Sequence, residues 1–136
     1  MTLLLLDTTF LIATERGATE LDGLIGDDDD VAIAAITLAE LTVGVELAGA
    51  RQRPKRQAFV KEIADSIPIL PYDQGVAMRH ANLLVAVRRE GRPRGAHDLI
   101  IAATAAAAGR TVVSADRRAF DGLPGVTALD NRSPSD

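Results

Sequence analysis

The feature that most constrains the fold is a run of four leucines, Leu3–Leu6, that ends directly at Asp7. An uninterrupted apolar run of this length is typical of a strand buried on both faces, as in a parallel sheet covered by helices. Parallel neighbours need long crossover connections, which helices usually supply. We therefore expect Asp7 to lie at the carboxyl end of a central strand.

The rest of the chain alternates between strand and helix patterns. This alternation predicts a single α/β domain over residues 1–130, built on a mostly parallel sheet of four or five strands and followed by a polar tail at 131–136. Further strands are expected at 31–35, 68–71, 111–113 and 126–129, and helices at 9–16, about 21–26, 37–49, about 59–67, 73–87 and 98–108, with a helical turn at 117–120.

Composition excludes several kinds of site. The chain has no cysteine and two histidines, so a disulfide framework, a thiolate metal site and a three-histidine site are ruled out. Any metal must be bound mainly by oxygen, which favours Mg²⁺ or Mn²⁺. A net charge of −4 disfavours a simple nucleic-acid binder, and the few aromatic residues disfavour a base-stacking surface. No apolar segment approaches the ~20 residues of a membrane span, so we expect a cytoplasmic protein without membrane contact.

Four acids occupy positions where they can meet above one edge of the sheet. Asp7 and Asp116 follow strands, and Glu40 and Asp98 fall in the first turns of apolar helices. Ligands of open parallel sheets bind at the carboxyl ends of the strands. Carboxylates crowded there repel one another, and a divalent cation relieves that repulsion while activating water for attack on a phosphodiester.

Three of these acids also have a purely local interpretation, which the sequence leaves open, whereas Asp7 is the hardest to explain locally because it ends a buried strand. Thr37 and Glu40 have the spacing of a capping box, in which the two side chains cap one helix reciprocally. Asp98 suits the positive end of a helix dipole, and Asp116 suits a helix cap. His97 lies beside Asp98, where it can contact the site, but a metal mechanism needs no histidine as a general base.

Four segments taken together resemble the motifs of PIN-domain nucleases. Residues 5–12, LLDTTFLI, resemble the opening strand and its Asp-Thr-Ser turn, and residues 36–41, ITLAEL, resemble the second acidic motif. Residues 97–105, HDLIIAATA, and 112–120, VVSADRRAF, resemble the third and fourth. The order and spacing match over nearly the whole chain, and the compact size looks like a VapC-type toxin of a bacterial toxin–antitoxin pair.

The resemblance implies a three-layer fold around a parallel five-stranded sheet and a Mg²⁺- or Mn²⁺-dependent endoribonuclease. The family's catalytic and metal-binding acids map onto Asp7, Glu40, Asp98 and Asp116, with Asp121 as the nearest substitute for the last. Two hydroxyl residues, Thr9 and Ser114, fall where the family supports the site.

The resemblance also implies partners. They are an RNA substrate, a second copy of the chain, and a cognate antitoxin that gives a heterotetramer or larger complex and lays a C-terminal segment along the toxin. The helix that carries Phe59, Ile63 and Ile67 and the helix after Thr37 are candidates for that groove, although their apolar stripes are equally typical of core. Arg92 and Arg94, just before the third motif, are candidate RNA contacts.

Two other functions remain open from the sequence. Asp7 after the first strand suits a phosphoryl-transfer enzyme with a nucleophilic aspartate, which would form a covalent aspartyl-phosphate. Alternatively the acids are helix caps and the chain is a non-enzymatic binding module, which would show no stabilisation by Mn²⁺.

Overall fold

The computed structural model describes residues 1–17 and 28–130. The helix expected at 21–26 and the tail at 131–136 lie outside these residues. The strands are β1 (Leu3–Leu6), β2 (Asp30–Ala34), β3 (Ile69–Leu70), β4 (Thr111–Ser114) and β5 (Ala128–Asp130). The α-helices in the described residues are α1 (Thr8–Glu15), α2 (Ala35–Leu47), α3 (Arg53–Ser66), α4 (Gln74–Glu90) and α5 (Ala96–Ala108), and a 3₁₀ turn spans Arg117–Ala119.

The five strands form one all-parallel sheet in the order β3-β2-β1-β4-β5. This confirms the α/β fold with a five-stranded parallel sheet. The chain moves from β1 to β2 in one direction and returns to place β4 on the other side of β1, so the strand order reverses between β1 and β4. Crevices at such a reversal, beyond the carboxyl ends of the strands, are the usual ligand sites of open parallel sheets.

The leucine run is buried on both faces, as its composition predicts. Leu5 packs on one face of the sheet with the apolar sides of α4 and α5. Leu4 and Leu6 point to the opposite face, where they pack with residues of α1, α2 and α3. Because neighbouring side chains along a strand point to opposite faces, β1 contributes to two separate cores. The fold therefore has three layers, with the sheet between two layers of helices.

Helix α5 crosses the first of these cores as a nearly all-apolar element. Its central residues from Ile101 to Ala105 are almost fully inaccessible to solvent. The small alanine side chains allow α5 to approach the sheet and α4 closely. This packing fixes the first turn of α5, which carries Asp98, beside the carboxyl ends of the strands. No helix in the described part of the chain is long and apolar enough to cross a membrane.

Candidate active site

Asp7 lies at the centre of the strand-order reversal and is 1% exposed. Its Oδ1 accepts the backbone N–H of Phe10 at 2.9 Å, so the side chain also caps α1. Ser114 at the end of β4 donates its hydroxyl to Oδ2 at 2.6 Å, and Thr9 donates to Oδ1 at 2.8 Å. Burial raises the pKa of Asp7, the bonds from Ser114, Phe10 and Thr9 oppose this rise, and the charge of Asp98 adds to it.

Thr9 and Ser114 form a hydroxyl pair beneath this carboxylate, with 3.2 Å between their oxygens. Ala115 donates its backbone N–H to Thr9 Oγ1 at 3.1 Å, and Asp116 donates its own to Ser114 Oγ at 2.9 Å. The chain that leaves β4 is thereby held against the first turn of α1. Both hydroxyl residues therefore contact Asp7 directly, and their supporting role in the site stays a prediction.

Glu40 projects from α2 toward the same edge and is held at both oxygens. Thr8 Oγ1 donates to Oε1 at 2.7 Å, and His97 Nδ1 lies 3.2 Å from Oε2. Helix α2 begins at Ala35, directly after β2, and its N-cap residue Ala34 has no capping side chain. The capping-box interpretation of Thr37 and Glu40 is therefore wrong, because Thr37 lies inside the helix with its hydroxyl buried against Thr8.

Asp98 and Asp116 complete the acidic cluster. Burial raises the pKa of Asp98, the charges of Glu40 and Asp116 raise it further, and His97 lowers it. Asp116 occupies the N-cap position of the 3₁₀ turn, but its side chain makes no capping hydrogen bond, so the interpretation as a plain cap is wrong. Within residues 1–17 and 28–130, neither carboxylate has a hydrogen-bonding partner. Their lone pairs are the ones available to a ligand.

The structure brings the four sequence-predicted acids together as interacting charges. They do not form a closed cage, because no group of three or more histidine and acidic side chains among the described residues stands at metal-binding spacing. The donor set nevertheless fits a hard divalent cation: all four are carboxylates, and two of them accept no hydrogen bond from the described residues. Asp121, the alternative to Asp116, instead pairs with Arg117 at 3.5 Å.

The two arginines proposed as RNA contacts differ in their surroundings. Arg92 is exposed and pairs with Glu90 at 3.0 Å. Arg94 donates from its guanidinium to the backbone carbonyls of Ala119 and Asp121.

Thr8 is the site residue that the sequence analysis missed. It is nearly buried and joins α1 to Glu40, which lies 32 residues further along the chain. Its sequence signals are its place directly after Asp7 and inside the segment that resembles the Asp-Thr-Ser turn. Its partners are far away in the sequence and follow no local spacing.

Several known proteins are similar to this chain along most of its length. The PIN domain family model matches residues 4–125. The chain is 38% identical to Ribonuclease VapC5 of Mycobacterium tuberculosis over 92% of this chain and 90% of that protein. It is 33% identical to the tRNA(fMet)-specific endonuclease VapC of Salmonella typhimurium over 72% and 73% of the two chains.

A solved structure agrees with these sequence relatives. The crystal structure of VapBC-5 from Mycobacterium tuberculosis, a member of the VapBC family of toxin–antitoxin systems, superposes with a TM-score of 0.80 at 33% identity, covering 96% of this chain and 99% of that one. The acids at the strand-order reversal and the match along almost the whole chain lead to one conclusion: this chain belongs to the PIN-domain family, among its VapC-type ribonuclease toxins.

Proposed function

We propose that the chain is a Mg²⁺- or Mn²⁺-dependent endoribonuclease that acts in the cytoplasm as a toxin and is neutralised by a cognate antitoxin. The observation that carries the proposal is the meeting of Asp7, Glu40, Asp98 and Asp116 from four separate elements, close enough for the charges of Glu40 and Asp116 to raise the pKa of Asp98. Carboxylates that crowd in this way are suited to bind a divalent cation.

In this proposal the four acids hold the ion, and neighbouring hydroxyl groups hold two of them, Asp7 and Glu40. When bound, the ion supplies activation of water and neutralisation of the charge that develops on the phosphodiester. Ser114 and Thr9 keep Asp7 oriented, although burial favours its neutral form, and Thr8 orients Glu40. Partners of this kind typically change metal affinity or activity by ~10–100-fold when removed.

The test is cleavage of total bacterial RNA by the purified protein with Mn²⁺, with Mg²⁺ and with a chelator, beside Asp98→Asn. Asp65→Asn is the matched control, since it makes the same change of charge at an exposed position of α3. We expect discrete fragments that require metal, persist in Asp65→Asn and disappear in Asp98→Asn. Cleavage that survives both the chelator and Asp98→Asn would contradict the proposal.

For the antitoxin, we propose a cleft beside Glu40 as the binding site. Ile63 and Ile67 are buried and Phe59 packs on the same core, so the core interpretation of that stripe is confirmed. The remaining cleft runs between α1, α2 and α3 and is lined by Ile12, Glu15, Arg16, Glu40, Leu41, Gly44 and Arg56.

Gly44 lines this cleft one helical turn after Glu40, so a larger side chain there fills the cleft without replacing an acid. A Cβ at Gly44 meets no atom within 4 Å, so Gly44→Leu projects into open space. We expect this variant to keep metal-dependent cleavage of RNA but to escape inhibition by the antitoxin, whereas Gly49→Leu, in the loop after α2, stays inhibited. Full inhibition of Gly44→Leu would place the antitoxin elsewhere.

For the homodimer, we propose the apolar hollow lined by Ala35, Ile36, Ala39, Tyr72, Ile100 and Thr104. Tyr72 is 50% exposed there, so part of its ring is available for contact with a second copy of the chain. We expect Ala39→Lys to give a monomer in analytical ultracentrifugation and Ala64→Lys, on the exposed side of α3, to leave a dimer. A dimer in both variants would exclude this face.

A further inference from the structure

The Arg94 side chain connects two segments that are distant in the sequence. Arg94 lies in the loop between α4 and α5, and its guanidinium donates from Nη1 to the carbonyl of Ala119 at 2.9 Å and from Nη2 to the carbonyl of Asp121 at 2.6 Å. These acceptors belong to the 3₁₀ turn after β4 and the residues just beyond it. The planar fork of a guanidinium is suited to binding two acceptors at once.

One end of this connection leads to Asp116. Ala119, whose carbonyl accepts from Arg94, donates its own N–H to the carbonyl of Asp116 at 3.1 Å. The turn is therefore bonded to Arg94 on one side and to the backbone of Asp116 on the other. A displacement of the turn displaces Asp116.

The other end leads to Asp98. Arg94 directly precedes Gly95, the N-cap residue of α5, and Gly95 accepts the N–H of Leu99 at 3.2 Å. A Cβ on Gly95 would lie 2.8 Å from Oδ2 of Asp98, so the Asp98 carboxylate rests directly against this backbone. A displacement of residue 95 therefore displaces the carboxylate.

We propose that Arg94 is a positioning residue that sets the spacing between Asp98 and Asp116, and that it does not act as an RNA contact. The inference rests on the proposed function, in which these two acids hold the ion. Both are negative, and their repulsion drives the two segments apart, so a bridge between the segments is needed at this point. Arg92, two residues earlier, makes no such bridge, because its ion pair with Glu90 stays within the same stretch of chain.

The first measurement is amide hydrogen exchange of the protein without metal or RNA, in the wild type, Arg94→Gln, Arg94→Lys and Arg92→Gln. Loss of one charge-assisted hydrogen bond accelerates local opening by about tenfold. We expect this acceleration at Ala119, Phe120 and Asp121 in both Arg94 variants, with residues 101–105 unchanged and Arg92→Gln like the wild type. Unchanged protection of the turn in Arg94→Gln would overturn the inference.

The second measurement separates positioning from RNA binding. We expect Mn²⁺ affinity, measured by calorimetry, and kcat to fall about tenfold in Arg94→Gln, while KM for RNA and its salt dependence stay at wild-type values. Arg94→Lys restores the charge but not the two-pronged bond, so we expect no rescue. Rescue by lysine, or a rise in KM with a weaker salt dependence, would identify Arg94 as an RNA contact.

The two measurements also distinguish this inference from the proposed function. If the wild type binds no Mn²⁺ and cleaves no RNA, the proposed function fails, and hydrogen exchange alone still decides whether Arg94 holds the turn. If the turn loosens in Arg94→Gln while Mn²⁺ affinity and kcat stay at wild-type values, Arg94 is structural only and the positioning role is overturned.

Discussion

Ser114 donates its hydroxyl to Asp7 at 2.6 Å across 107 residues of sequence, and both side chains are almost completely buried. The contact is possible because β1 and β4 are parallel neighbours with Leu6 opposite Val113, so the next residue of each strand emerges at the same edge. A buried carboxylate otherwise favours its neutral form, which is a poor cation ligand. The hydrogen bond from the Ser114 hydroxyl therefore favours the ionised form of Asp7, which can bind a cation.

Replacement of Ser114 by alanine tests this relationship. We expect Ser114→Ala to lower the free energy of unfolding by about 2 kcal/mol, because a buried charged acceptor loses its donor. We also expect Mn²⁺ affinity to fall by about 10–100-fold. Chemical denaturation and calorimetry measure the two effects.

The matched control is Thr14→Ala, which removes a hydroxyl of α1 that donates only to the carbonyl of Phe10 in its own helix. We expect this variant to bind Mn²⁺ as the wild type does. Equal Mn²⁺ affinity in Ser114→Ala and Thr14→Ala would show that the bond to Asp7 has no part in metal binding.

The parts of this site that were predictable from the sequence are those with a local signal. Asp7 was recognisable because an apolar run predicts a buried strand and an acid at its end is conspicuous. Asp116 was likewise recognisable as an acid after a predicted strand. Asp98 was recognisable as an acid in the first turn of a predicted apolar helix. The structure brings them together because the sheet is parallel, which the alternation of strands and helices also predicts.

The parts that the sequence did not reveal depend on distant partners. The spacing of Thr37 and Glu40 matched a capping box, but β2 continues into α2 without a loop, so Thr37 falls inside the helix. Glu40 then bonds to Thr8 and His97, neither of which is a neighbour in sequence. Arg94 likewise has partners 25 and 27 residues away, so its sequence position indicated a candidate RNA contact and not these bonds.

Asp98 makes the stability of the metal-free protein depend on pH. Its pKa is raised in the folded state, so over the range above about pH 4 the folded chain holds its proton more tightly than the unfolded chain. The free energy of unfolding therefore falls as pH rises through this range and levels off above the folded-state pKa. Asp7, whose pKa is also raised, contributes with the same sign.

We therefore expect Asp98→Asn to be more stable than the wild type at pH 7.5 in a chelator, with a Tm higher by about 3 °C. Calorimetric melting between pH 4.5 and 8 measures this difference, which should shrink toward the acid end and reverse when Mn²⁺ stabilises only the wild type. Asp65→Asn provides the control for charge. A Tm of Asp98→Asn at or below that of the wild type at pH 7.5 in chelator would contradict the electrostatic account.

Gly95 leaves room for the Asp98 carboxylate, and alanine removes that room. Gly95 has φ −59° and ψ 137°, a conformation that alanine adopts readily, so Gly95→Ala acts only through its Cβ and its 2.8 Å approach to Oδ2. We expect a folded protein with an RNA cleavage rate lowered at least ~10-fold. Gly49→Ala, where a Cβ meets nothing within 4 Å, should cleave like the wild type. Equal rates in the two variants would mean that Asp98 tolerates the displacement.

Arg110 stabilises the amino-terminal ends of the central strands, at the opposite end of the sheet from the acids. Its Nη1 donates to the carbonyls of Leu4 and Asp30 at 3.1 and 2.9 Å, and its Nη2 pairs with the Asp30 carboxylate at 2.7 Å. Because these bonds join β1 and β2 at their amino-terminal ends, we expect Arg110→Met to lower the free energy of unfolding by about 2 kcal/mol.

The same variant should leave Mn²⁺ affinity and RNA cleavage unchanged at temperatures where it stays folded, since Asp7 and Ser114 lie at the other ends of the strands. Arg51→Met, an exposed change outside the sheet, is the control for charge and should melt like the wild type. Denaturant unfolding and cleavage assays on the same preparations separate the two quantities. A loss of Mn²⁺ affinity in folded Arg110→Met would show that the two edges of the sheet are coupled and that the acidic cluster is not held by its local hydroxyl contacts alone.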